Sequence, residues 1–125
     1  MIISIIQSYL LLLRVELVLC NCGLGALHGL VRNKRFHHFD RNRQGNIEGL
    51  CHAVDLACAF YPKRVLCLQR AAATTMLLRR HGYEAAMLIG AQMLPFKSHA
   101  WVEVNGNVVN DKPYMHEIYQ VLERC

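Results

Sequence analysis

Cys67, His99 and Asp111 occur in that order, the cysteine opening a helix-like run and the other two lying on consecutive strand-like runs. Side chains of these types are the parts of a nucleophilic centre. A thiol attacks as thiolate, an imidazole moves the proton, and a carboxylate orients the ring. The thiolate is favoured at a helix N-terminus, where backbone N–H groups point outward, and beside an imidazolium. Alone, Cys67 would be one more buried thiol on an apolar helix, and only the later histidine and aspartate shift that balance.

The elements that must position them follow from pattern. Val65 to Gly82 reads as a helix that starts near Cys67 and stops at a glycine, with Arg79 and Arg80 in its last turn. Ala71, Ala72 and Ala73 give it a slim waist on which a sheet could pack closely. Glu84 to Ala91 reads as one strand and Ser98 to Val104 as a second, with Asn105-Gly106 a hairpin turn before Val108 to Asp111. A three-residue loop would set Val104 against Val108 and Trp101 against Asp111. Asp111 would then share a face with His99, one diagonal step away. A two-residue loop would send Asp111 to the other face. Glu103 lies on the His99 face and competes as the orienting acid, while Trp101 reads as a packed residue flanking the site. The tail from Tyr114 to Cys125 reads as a terminal helix or strand, and His81 and His116 as helix-end or surface residues.

The half of the chain before Lys63 is helical by pattern. Ile2 to Leu19 is strongly apolar and nearly long enough to span a bilayer, but Gln7, Ser8, Arg14 and Glu16 interrupt it and no basic residue precedes it. A buried or interfacial helix fits better, with Arg14 and Glu16 snorkelling off the apolar surface rather than pairing, and with docking to a membrane surface or a partner protein left open. Glycines 23, 25 and 29 punctuate a short second helix. From an N-cap at Asn46, a third helix repeats apolar residues at Ile47, Leu50, Cys51, Val54, Ala57 and Cys58, until Tyr61-Pro62 ends it. His52 and Asp55 fall off that stripe.

Length and composition limit what these parts can belong to. At 125 residues, 54% apolar and 18% charged, the chain fits one folded domain of 1–125 and not a disordered protein. We divide it into a helical part, 1–62, and a catalytic core, 63–125. Of the net charge of +5, +4 gathers at Arg32, Lys34, Arg35, Arg41 and Arg43 against Asp40, a solvated loop or a contact for an acidic peptide or anionic lipid. Six cysteines, Cys20, Cys22, Cys51, Cys58, Cys67 and Cys125, with no cleavable signal pattern read as reduced thiols of a cytoplasmic protein. Cys20-Asn21-Cys22 lacks the two-residue spacer of common zinc knuckles, so no metal and no other cofactor is expected.

The residues Cys67-Leu68-Gln69-Arg70, Leu77 to Gly82, Ile89-Gly90, Pro95-Phe96, His99 to Gly106 and Asn110-Asp111 together closely resemble the lasso-peptide leader peptidases, transglutaminase-like cysteine proteases of ribosomal peptide biosynthesis. The resemblance runs from about Val65 to Lys112. One departure is Ala71, where that family often has serine. A histidine-alanine-tryptophan strand alone also occurs across the wider transglutaminase-like superfamily. The resemblance implies an α+β, transglutaminase-like or papain-like core, in which a nucleophile helix packs on a small antiparallel sheet behind an apolar helical N-terminal half. It implies a catalytic triad of Cys67, His99 and Asp111 that removes a leader by way of a thioester. The partners implied are a lasso precursor peptide, a separate leader-recognition protein and a lasso cyclase, with no nucleic acid among them. Two other classes use the same residues: an acyl transferase in which an amine resolves the thioester, and a non-catalytic peptide-binding module.

Overall fold

Three helices make up the described N-terminal half, and a long helix with a small sheet most of the C-terminal half. The computed structural model describes residues 2–33, 47–62, 65–93, 96–104, 107–109 and 115–124. Its elements are α1 (Ile2–Cys22), α2 (Leu24–Asn33), α3 (Ile47–Phe60), α4 (Cys67–Arg80), β1 (Ala85–Met93), β2 (Phe96–Val104), β3 (Asn107–Val108), α5 (Met115–Ile118) and β4 (Gln120–Arg124). The basic residues from Lys34 to Arg43 and the expected N-cap Asn46 lie outside the described residues.

Helix α4 runs through the middle, packed on α1 and α3 on one side and on β1 and β2 on the other. Its residues from Ala71 to Leu78 are all buried. A helix surrounded in this way cannot leave polar groups unmet, and the two buried hydroxyls are satisfied internally. Thr74 Oγ1 donates to the Arg70 carbonyl at 2.7 Å and Thr75 Oγ1 to the Ala71 carbonyl at 2.8 Å. The helix ends as its sequence predicts: Gly82 adopts φ +89°, its N–H donates to Arg79 O at 3.2 Å, and the Tyr83 N–H reaches Leu78 O at 3.0 Å. These two bonds form a Schellman motif, which needs the left-handed residue that glycine supplies without strain. Arg79 then ties the layers together, donating from Nε to Ala85 O at 3.0 Å and from its guanidinium to the Val31 carbonyl.

Helix α1 extends past Leu19 to Cys22 and has two different sides. Ser8, Leu11, Leu12 and Val15 are buried, and the Ser8 hydroxyl is satisfied by the Ser4 carbonyl at 2.7 Å. Ile3, Ile6, Leu10, Leu13 and Leu17 are exposed. By length and composition Ile3–Cys22 is apolar enough to cross a membrane. Arg14 is exposed as expected, and Glu16 accepts a hydrogen bond from the Tyr61 hydroxyl.

The sheet is antiparallel in the order β3-β2-β1-β4. The tail supplies both a short helix and an edge strand, with a register shift between Ile89 and Gly90 where β4 meets β1. Ala100, Val102 and Val104 of β2, with Ala85 and Met87 of β1, join the core around α4. Trp101, Leu88 and Met115 form a second cluster on the opposite face. The hairpin differs from the expected three-residue loop: Val104 pairs with Asn107 and Glu103 with Val108, which leaves only Asn105 and Gly106 between them. Asn-Gly suits a two-residue connection, so Asn107 is drawn into the ladder instead of the loop. This register removes the ladder argument that put Asp111 on the His99 face. Asp111 itself, like Asn105 and Gly106, lies outside the described residues.

Gly90 pairs with His99, and a β-carbon built on it would lie 2.7 Å from Trp101 Cη2 and 2.8 Å from Tyr119 Cβ. Its lack of a side chain is what lets those two rings close over the sheet. Gly90→Ala is therefore expected to cost about 1–3 kcal/mol by overpacking. In a domain of this size that is a fall in melting temperature of roughly 5–15 °C, read by circular dichroism.

Candidate active site

Cys67 is the first residue of α4, after Leu66 at the N-cap in extended conformation (φ −84°, ψ 163°). Leucine offers no oxygen to the amides of the first turn. Gln69 partly compensates, its Oε1 accepting from the Leu66 N–H at 3.0 Å, and the first helical bond runs from the Arg70 N–H to Leu66 O at 3.0 Å. The N–H groups of Cys67, Leu68 and Gln69 precede that bond and so have no acceptor within the helix. They form the positive end of the α4 dipole beside the exposed Cys67 thiol.

The other thiols described have different settings. Burial, with the Asp55 carboxylate adding to it, pushes the Cys51 thiol up to about 11, and burial also raises Cys58. Both are held as neutral thiols at neutral pH, which suits core packing and not nucleophilic work. Asp55 is on the surface as expected, 3.3 Å from Arg70 Nε. Cys20 and Cys22 are exposed on the last turn of α1. Among the described residues no three His, Cys, Asp or Glu side chains gather into a group that would hold a metal ion.

Where the first turn of α4 meets the sheet there is a cleft of about 130 Å³, lined by Cys67, Leu68, Ile89, Ser98, His99 and Ala100. Cys67 and His99, two of the three residues singled out from the sequence, are both part of its lining, but the imidazole itself is carried on the face of β2 turned away from α4. By strand alternation His99 belongs to the face of Trp101 and Glu103, while its neighbour Ala100 packs towards α4. The imidazole is flanked by aromatic rings: its centroid lies 6.3 Å from that of Trp101 and 5.4 Å from that of Tyr119, with interplanar angles of 22° and 27°.

Trp101 is fully buried, as its expected packing role requires. Its Nε1 donates to Glu103 Oε2 at 3.0 Å, and Glu103 Oε1 faces the Arg124 guanidinium at 3.6 Å. Both oxygens of this buried carboxylate are engaged there. Four residues along a strand separate backbone positions by about 13 Å, too far for Glu103 to reach the His99 ring directly. The idea that Glu103 competes as the orienting acid is therefore corrected by the geometry. Sequence reasoning passed over Tyr119 and the spacing role of Gly90. Tyr119 had no signal, because its stretch carried no clear period, but a glycine inside a strand is a sign of close approach.

Residues 9–124 match the model of the transglutaminase-like superfamily, and the chain belongs to that superfamily. Its helices and small antiparallel sheet are the mixed α and β architecture expected. More particularly, the chain is similar to the microcin J25-processing protein McjB of Escherichia coli, with 39% identity over 56 residues. The aligned segment is 45% of this chain and 27% of the length of McjB. The resemblance read from the sequence is borne out by this match. No solved structure matches the chain.

The thiols should separate by reactivity. With iodoacetamide at about pH 8, mass spectrometry of the native protein is expected to find adducts at Cys20, Cys22 and Cys67 and none at Cys51, whose thiolate forms only near its raised value of about 11. Cys51 should label once the protein is unfolded.

Proposed function

We propose that this protein is a cysteine endopeptidase that removes the leader from a lasso-peptide precursor. The observation that carries the reading is that Cys67, at the exposed start of the central helix, lines one cleft with His99. Similarity to a microcin J25-processing protein supports the substrate class. In this reading residues 63–125 form a papain-like catalytic core and residues 1–62 the platform that braces it.

In the proposed cycle the Cys67 thiolate attacks the scissile carbonyl carbon, and the carbonyl π electrons move to oxygen. The backbone N–H of Cys67 and the other amides of the first turn supply donors for that oxyanion. As the C–N bond breaks, His99 passes its proton to the departing amine, which becomes the free N-terminus of the core peptide. A water molecule then gives a proton to His99 and attacks the thioester. Collapse expels the Cys67 thiolate and releases the leader as a carboxylic acid. Asp111 is proposed to orient His99 and stabilise the imidazolium, which is the third part of the triad. A leader-recognition protein would deliver the precursor and a lasso cyclase would consume the product, in the cytoplasm or at a membrane surface.

Membership of the transglutaminase-like superfamily favours one second reading, in which an amine in place of water resolves the thioester. The two differ in product mass. Purified protein, a lasso precursor and its leader-recognition protein are expected to give free leader acid and core peptide by mass spectrometry. Cys67→Ser and His99→Gln should lower turnover by roughly 10³-fold or more, and Asp111→Asn should also lower it strongly. A new amide would select the acyl transferase, and equal turnover by Cys67→Ser would remove the nucleophile and the reading with it.

A further inference from the structure

The face of the sheet turned away from α4 holds a chain of contacts that the cycle above does not use. It starts at the surface with Arg124, whose side chain is 58% exposed, and passes to Glu103, whose side chain is 2% exposed. From Glu103 Oε2 it passes through the 3.0 Å hydrogen bond to the indole of Trp101. From that indole it reaches His99, which Tyr119 also flanks, with the Trp101 and Tyr119 rings themselves 6.1 Å apart.

A carboxylate taken out of water is costly unless its oxygens are met, so a glutamate serving only to fill this space would be a poor choice beside an apolar residue. What the carboxylate provides that an apolar side chain cannot is a direction. It fixes the rotation of the indole by holding its single N–H, and the fixed indole sets the plane against which the imidazole lies. Gly90, opposite His99 in the ladder, leaves the room this stack needs.

We propose that Glu103, anchored by Arg124, is a positioning residue for His99 and acts through Trp101. The inference deepens the peptidase reading, since it rests on His99 as the proton-transfer residue, but it can be tested without turnover. Trp101 is the single tryptophan of the chain, so emission excited beyond the tyrosine absorption reports the surroundings of this one indole. A protonated imidazole lying against an indole accepts electron density from its excited state and quenches it. Scanning wild-type emission across about pH 5 to 8, where imidazoles change charge, should show a step that His99→Gln lacks. Glu103→Leu should lose most of that step while far-UV circular dichroism stays unchanged. Glu103→Gln, which keeps an oxygen for the indole N–H, should retain most of it.

Arg124→Gln changes a surface residue and should weaken the step even if Glu103→Leu fails to fold. A wild-type protein without the step overturns the inference, as does a folded Glu103→Leu or Arg124→Gln variant with the full step. In the cleavage assay Glu103→Leu should lower kcat by about tenfold with KM little changed, as expected for a misaligned proton-transfer group. If Cys67→Ser cleaves as well as wild type, the peptidase reading fails while the emission result stands on its own.

Discussion

How closely α4 can approach the sheet decides where the Cys67 thiol stands, and that approach depends on small side chains. Ala71, Ala72 and Ala73, in the second turn of the helix that Cys67 opens, are fully buried. Three consecutive residues cover more than half the circumference of a helix. These alanines belong to the core cluster that also holds Ala100 and Val102 of the sheet, in a helix packed on both that sheet and the layer of α1 and α3. Larger residues here would push α4 away from β2 and draw the first turn out of the cleft it shares with Ile89 and Ala100. Burying so slim a helix on all sides yields little apolar area for each residue. The long aliphatic residues further along, Met76, Leu77 and Leu78, supply what the alanines lack.

The sheet divides the remaining work between its two faces. On the face towards α4, Ala100, Val102 and Val104 of β2 with Ala85 and Met87 of β1 belong to the apolar core and set the distance between helix and strand. The other face carries Trp101, Tyr119 and the buried Glu103, and sets the attitude of His99. Because side chains alternate along β2, Ala100 and His99 serve these two tasks from adjacent positions. A slip of one residue in the β1–β2 register would exchange them, so the pairing of Gly90 with His99 is under constraint from both sides.

Much of this was legible before the fold was known, where local chemistry and tertiary demand agree. The α4 helix announced both its ends, because a glycine after two arginines is a C-terminal signal wherever it occurs. The strand containing His99 announced itself by alternation. What failed was the loop length after Val104: Asn105-Gly106 marks a turn but does not state whether the next asparagine belongs to loop or ladder, and one residue reverses every face beyond it. Glu103 was legible as a residue on the His99 face, but not as a partner of Arg124, since β4 reaches it only by crossing to the far side of β1. Contacts made between strands distant in sequence leave no local period to read. The expectation for Asp111 concerns a residue outside those described, so its part in the site stands on the resemblance and not on register.

Helix α1 shows how the support of the site limits what else the chain can do. It is long and apolar enough to cross a membrane, yet Leu11, Leu12 and Val15 are committed to the core that also holds Ala71 to Ala73. A helix surrounded by lipid would have to withdraw those side chains from α4, opening a cavity beside the alanines that position Cys67. Such cavities cost about 2–5 kcal/mol for each large aliphatic residue removed, a large part of the stability of a small domain. Spanning a bilayer and bracing the cleft are thus exclusive states of the same helix. The exposed side, Ile3, Ile6, Leu10, Leu13 and Leu17, is under no such constraint: covering it would remove apolar surface from water while the inner side kept hold of α4.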